Sequence, residues 1–135
     1  MKVLVDTSVW SAALRRKKCG ESECVRELCS LISDHRVEII GPIRQEILSG
    51  VREDTQFSKL KRHIAPFPDI PVLTEDYIMA ARFFNLCRSK GIQGSNTDFL
   101  ICAVAVRCHY AIYTTDKDFS LFEKYIPIDL YKTGV

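Results

Sequence analysis

Val3-Leu4-Val5-Asp6-Thr7-Ser8-Val9-Trp10 stands at the start of the chain. Three apolar residues, two of them β-branched, that stop at an acid have the pattern of a short strand buried on both faces. Asp6, Thr7 or Ser8 can then cap a helix, since a side-chain oxygen there accepts from the N–H groups of the first turn. A strand followed at once by a helix is the first half of a parallel crossover unit, and the rest of the chain keeps the alternation. Residues 21–33 carry Cys24, Val25, Leu28, Leu31 and Ile32 at helical spacing, and residues 37–40 read as a second strand. Gly41-Pro42 begins another helix with proline in its first turn, and Gly50 is its expected stop.

Residues 56–64 repeat Phe57, Leu60, Lys61 and Ile64 every three or four positions, the spacing of a short helix. The proline-marked stretch 65–73 leads to Thr74, expected to cap a longer helix that runs to about Lys90 and ends at Gly91. After a loop over 92–96, Thr97 opens a helix that is apolar almost all round from 99 to 106, which assigns it to the core. Residues 110–114 read as a third clear strand, 119–125 as a short helix and 126–130 as a last strand. Short apolar strands separated by helices favour a three-layer α/β/α sandwich around a central, mainly parallel sheet. The expected organisation is one domain over 1–131 and a short tail over 132–135.

A chain of 135 residues, 47% hydrophobic and 27% charged with only 6 Gly and 5 Pro, has the size and composition of one globular domain. Its longest wholly apolar run, 99–106, is far too short for a bilayer span. Asp6 interrupts the N-terminal apolar residues before a signal-peptide core can form, so a cytoplasmic location with no membrane association is expected. The six cysteines are read as reduced, with Cys102 and Cys108 as small core residues. No two form a Cys-x-x-Cys pair, and the histidines are scattered, which argues against a structural zinc site. A net charge of +2 names no partner by itself. Two basic runs, Arg15-Arg16-Lys17-Lys18 and Lys59, Lys61, Arg62 and His63, fit either phosphate contacts or ordinary solvated faces.

The chemistry is in the acids. In an open parallel sheet, sites form at the carboxyl ends of strands, where loops and helix starts converge. Asp6 and Asp116 each follow an expected strand, Asp98 lies in the first turn of the core helix, and Glu46 lies one turn after Ile43. Each has a plainer reading as a cap, a turn residue or an exposed helix acid. Together they point elsewhere, because clustered carboxylates repel unless a cation compensates, and Mg²⁺ or Mn²⁺ suits oxygen ligands. Thr7, Ser8 and Thr115 are placed to hydrogen-bond carboxylates or water, or simply to cap and turn the chain. Trp10, Tyr77, Phe83 and Phe84 read as core or interface residues more readily than as base-stacking platforms.

Val-Leu-Val-Asp6-Thr7-Ser8-Val-Trp, Glu46 on the later helix, Asp98-Phe-Leu-Ile-Cys-Ala103-Val-Ala105 and Tyr-Thr-Thr115-Asp116-Lys-Asp118-Phe119 together resemble the PIN-domain ribonucleases, in particular the VapC toxins of toxin–antitoxin pairs. The resemblance covers nearly the whole chain in order and spacing. Cys102 departs from it, standing where the family often has alanine. Asp116 and Asp118 both fit the last motif; Asp116 is favoured because it lies closer to the strand end.

The resemblance implies hydrolysis of RNA phosphodiester bonds with one or two Mg²⁺ or Mn²⁺ ions. Asp6, Asp98 and Asp116 would hold the metal, and Glu46 would complete the site or orient the attacking water. It also implies a homodimer and a cognate antitoxin whose tail enters the acidic groove. The basic run at Arg15, Arg16, Lys17 and Lys18 would then hold flanking phosphates of the RNA. A receiver-like signalling domain and a non-catalytic nucleic-acid-binding regulatory module are the rival readings. The first lacks an acceptor aspartate, because residues 37–40 end at Gly41; the intact acidic quartet opposes the second. A haloacid-dehalogenase type phosphatase would need Asp-x-Asp where this chain has Asp6-Thr7-Ser8.

Overall fold

Five parallel strands run side by side in the computed structural model, in the order β3-β2-β1-β4-β5. The structure describes residues 1–15 and 22–132. The strands are β1 (Val3–Val5), β2 (Val37–Ile40), β3 (Asp69–Ile70), β4 (Ala111–Tyr113) and β5 (Asp129–Leu130). Between them lie α1 (Thr7–Arg15), α2 (Glu23–Ser33), α3 (Gly41–Leu48), α4 (Asp54–Ile64), α5 (Thr74–Ser89), α6 (Asn96–Cys108) and α7 (Asp118–Phe122). The order differs from the 2-1-3-4-5 sheet of receiver domains, so the receiver-like reading fails on topology.

Right-handed crossovers place the helices between β1 and β3 on one face and those after β3 on the other. The contacts agree: α1 packs on α2 and α3, whereas α5 packs along α6 and α6 lies on β4. Val3, Leu4 and Val5 are wholly buried, as a central strand covered on both faces requires. Residues 99–105 of α6 are buried as one unbroken run, which explains the absence of a polar stripe. Phe99, Phe119 and Phe122 join α6 to α7, with the Phe99 and Phe122 rings 4.7 Å apart. No helix among the described residues is long and apolar enough to cross a membrane.

Several boundaries differ from the sequence expectation. β3 falls inside the proline-marked stretch 65–73; it is two residues long, pairs with β2 and has no periodicity to betray it. The strand expected over 126–130 shrinks to β5, because Pro127 has no N–H to donate and Ile128 bonds back to Ile126. Tyr110 is not in β4, because its N–H closes the end of α6 on the Ala105 carbonyl while His109 takes φ 59°.

Helix starts shift too. Ser95, not Thr97, caps α6, and α5 is started by the Asp76 carboxylate accepting from the Leu73 N–H at 2.8 Å, not by Thr74. α4 begins two residues early, at Asp54, and α2 begins at Glu23 behind its cap Ser22. Glu21 lies outside the described residues. α7 ends at Phe122, short of the expected Tyr125. Cys102 is fully buried, whereas Cys108 is only half-buried.

Candidate active site

The sheet has one topological switch, between β1 and β4, the place at which an open parallel sheet forms a crevice at the carboxyl ends of its strands. Asp6 and Thr114 flank it. Val5 and Tyr113 are register partners, so the residues after them are carried forward together on adjacent strands. The Asp6 N–H continues the ladder to the Tyr113 carbonyl at 2.8 Å, and its carbonyl accepts the first bonds of α1 from Val9 and Trp10. Backbone on both sides therefore fixes this residue.

Asp6 is 5% exposed and its Oδ2 accepts from two hydroxyls, Ser8 Oγ at 2.9 Å and Thr114 Oγ1 at 2.8 Å. Those hydroxyls also hold the loop after β4. Ser8 Oγ accepts from the Thr115 N–H at 3.1 Å, and Thr114 Oγ1 accepts from the Asp116 N–H at 3.0 Å. Asp116 in turn accepts from the Asp118 N–H at 2.9 Å through Oδ1, which begins α7. One hydroxyl network thus ties the first acid to the last.

Asp98 reaches the crevice from the start of α6. Ser95 and Asp98 form a reciprocal capping box, Asp98 Oδ2 accepting from the Ser95 N–H and Ser95 Oγ accepting from the Asp98 N–H, both at 3.1 Å. Gly94 makes the approach possible, since a Cβ there would sit 2.5 Å from the Phe122 ring and 2.9 Å from Phe99. Burial pushes the Asp98 carboxyl above its ordinary range, the bonds with Ser95 pull it back, and the charges of Asp6 and Asp116 push it up again. Asp98 is therefore close enough to Asp6 and Asp116 to feel the charge of each.

Glu46 is different. It is exposed on α3, while Ile43 and Ile47 on the same helix are buried. Asp118 is exposed at the first position of α7. Among the described residues, no group of three or more Asp, Glu, His or Cys side chains is arranged to hold a metal ion. Asp98 Oδ2 and Asp116 Oδ1 are both turned onto backbone N–H groups.

Of the hydroxyls expected to support the acids, Ser8 does so directly and Thr115 contributes its N–H. The Thr7 Oγ1 is buried without a hydrogen-bond partner among the described residues. Sequence reasoning missed Thr114, which donates to Asp6; the β1–β4 register sets it opposite the acid that ends the first strand. Lys59, Lys61, Arg62 and His63 are exposed on α4. Arg16, Lys17 and Lys18, and the side chain of Arg15, lie outside the described residues.

Residues 3–125 match the family description of the PIN domain, and the chain belongs to that family. Within it, the chain is 32% identical over 124 residues to ribonuclease VapC11 of Mycobacterium tuberculosis, covering 90% of this chain and 92% of that protein. Two solved structures share the fold. VapBC2 from Rickettsia felis, bound to a DNA fragment from its promoter, superposes with a TM-score of 0.76 at 17% identity, over 97% of this chain and 98% of that one. VapBC-5 from Mycobacterium tuberculosis, of the VapBC family of toxin–antitoxin systems, gives a TM-score of 0.71 at 20% identity, over 98% and 100%.

Proposed function

We propose that the protein is a divalent-cation-dependent endoribonuclease and the toxin of a toxin–antitoxin pair. The observation that carries this is the convergence of three acids at the switch point: one hydroxyl network ties Asp6 to Asp116, and the charges of both bear on the partly buried Asp98. The identity to VapC ribonucleases supports the same reading.

The donor set suits a hard divalent ion, because carboxylates and hydroxyls surround the crevice and neither imidazole nor thiolate is needed. Asp6, Asp98 and Asp116 would hold Mg²⁺ or Mn²⁺, one ion or two. When bound, the cation lowers the pKa of a water, offsets the charge of the scissile phosphate and stabilises the leaving oxygen. The chain's own residues do the rest. Ser8 and Thr114 hold Asp6 in one orientation, and Ser95 sets the start of α6 behind Asp98. Glu46, exposed on α3, would orient the attacking water. Basic residues at 15–18 would meet flanking phosphates, which the acids alone would repel.

A cognate antitoxin and a homodimeric state belong to the same proposal, the first supported by the VapBC complexes that share this fold. The protein would act in the cytoplasm. The test is incubation of purified protein with total RNA. Cleavage is expected with Mg²⁺ or Mn²⁺, lost on chelation, and lost in Asp6→Asn and Asp98→Asn variants that remain folded. Equal cleavage by those variants would remove the site from the mechanism.

A further inference from the structure

A cavity of about 510 Å³ lies between α3, the outer face of α5 and the first turn of α6. Asn96 and Thr97, which immediately precede Asp98, form one wall, and Gln45, which precedes Glu46, faces it from α3. Asn85 and Tyr77 project from α5, and Phe84 lies against Phe99 with ring centres 5.7 Å apart.

None of the ten lining residues is charged, in a chain where 27% of residues are. That neutrality decides what fits. A phosphate would enter without a cation to meet it, and a charged peptide side chain would lose its hydration with no counter-ion. A nucleobase carries no charge and presents donors and acceptors along its edge. The carboxamides of Gln45, Asn85 and Asn96 each offer both a donor NH₂ and an acceptor oxygen, the complement that base edges require. Tyr77, 56% exposed, supplies an aromatic face for stacking. The volume lies within the usual range for small-molecule pockets.

We propose that this cavity receives one unpaired nucleobase adjoining the scissile phosphate and thereby sets the base preference of cleavage, an inference that rests on the ribonuclease reading above. Gln45 and Asn85 read the base edge. Tyr77 holds the base by stacking and carries no sequence information of its own.

The experiment compares the full-length wild type with Asn85→Leu and Gln45→Leu on single-stranded RNA oligonucleotides that differ at one base on either side of the cleaved bond, in Mg²⁺. Both substituted residues are exposed, so the variants are expected to fold, and their melting curves check this. The wild type should favour one base at one position, and each leucine variant should reduce that kcat/KM ratio by about tenfold or more. Mass by light scattering should not change. Ratios equal to wild type, or a wild type indifferent to base, overturn the proposal. A change of mass overturns it too, because the cavity would then be a contact between copies. A wild type that cleaves none of the RNAs, with either cation, defeats the ribonuclease reading and this pocket with it; cleavage with unaltered ratios defeats the pocket alone.

Discussion

Replacing Thr114 with valine keeps the shape of the side chain and removes its hydroxyl. In the structure that hydroxyl donates to the buried Asp6 carboxylate at 2.8 Å and accepts from the Asp116 N–H at 3.0 Å. A hydrogen bond to a charged group contributes about 1.5–3 kcal/mol, and Thr114 is half-buried, which favours the lower part of that range. The orphaned Asp116 N–H adds about 1 kcal/mol at most, and the extra methyl offsets about 0.8 kcal/mol. The net expectation is a loss of about 2 kcal/mol. With an unfolding entropy of about 2.1 cal/mol/K per residue, 135 residues convert that to a fall in Tm of about 7 °C. Thr114→Ser keeps the hydroxyl and should fall by less than half as much. Differential scanning calorimetry in chelator separates the two. If valine and serine variants melt together, within about 2 °C of wild type, the hydroxyl network does not hold the crevice as argued.

Asp98→Asn should raise stability in chelator at neutral pH while abolishing cleavage. The wild-type carboxyl is held above its usual range, chiefly by burial and further by Asp6 and Asp116, so the folded chain binds its proton more tightly than the unfolded chain. Stability from this group is therefore full below the ordinary carboxylate range and declines as pH rises through the folded value, a decline the asparagine variant should lack in a series of melts. Mg²⁺ should raise the wild-type Tm and leave that of Asp98→Asn nearly unchanged. Asp76→Asn should cost about 3 kcal/mol in urea denaturation, because Asp76 is 2% exposed and paired with Arg107 at 2.7 Å. Burial raises the Asp76 carboxyl, but Arg107 and the Leu73 N–H outweigh it and hold it below the usual range. Its contribution is accordingly present at neutral pH and lost as pH falls through the folded value. Gly94→Ala, whose Cβ would meet two phenylalanine rings, should cost about 1–3 kcal/mol and slow cleavage by displacing the start of α6.

Asp6 and Asp116 were legible from sequence because each stands at or just beyond the end of an apolar strand, and strand ends in a parallel sheet share an edge. Asp98 was legible because a helix with no polar face has few places to point its first turn. Thr114 was not, since its role depends on the β1–β4 register, which no local pattern encodes. Glu46 shows the converse: helical spacing put it on the rim of the Ile43–Ile47 stripe, but only the packing of α3 shows that the side chain is exposed. β3 escaped because two residues between prolines carry no period. Asp98 was weighed as either a helix-starting acid or a site residue, and it has the first role while lying within reach of Asp6 and Asp116.

Residues 99–105 of α6 have no solvent-facing side. A helix embedded in this way acts as a fixed post: to move its first turn by an ångström, the aromatic cluster and β4 must move with it. Change during evolution is therefore channelled. Drift in the post is filtered by folding itself, whereas the rims on α3 and α5, exposed and weakly constrained, are free to vary. Paralogues of this chain can diverge in what they recognise while the cutting apparatus stays still. A library randomised at the rim should accordingly yield many folded proteins, and one randomised along the post very few.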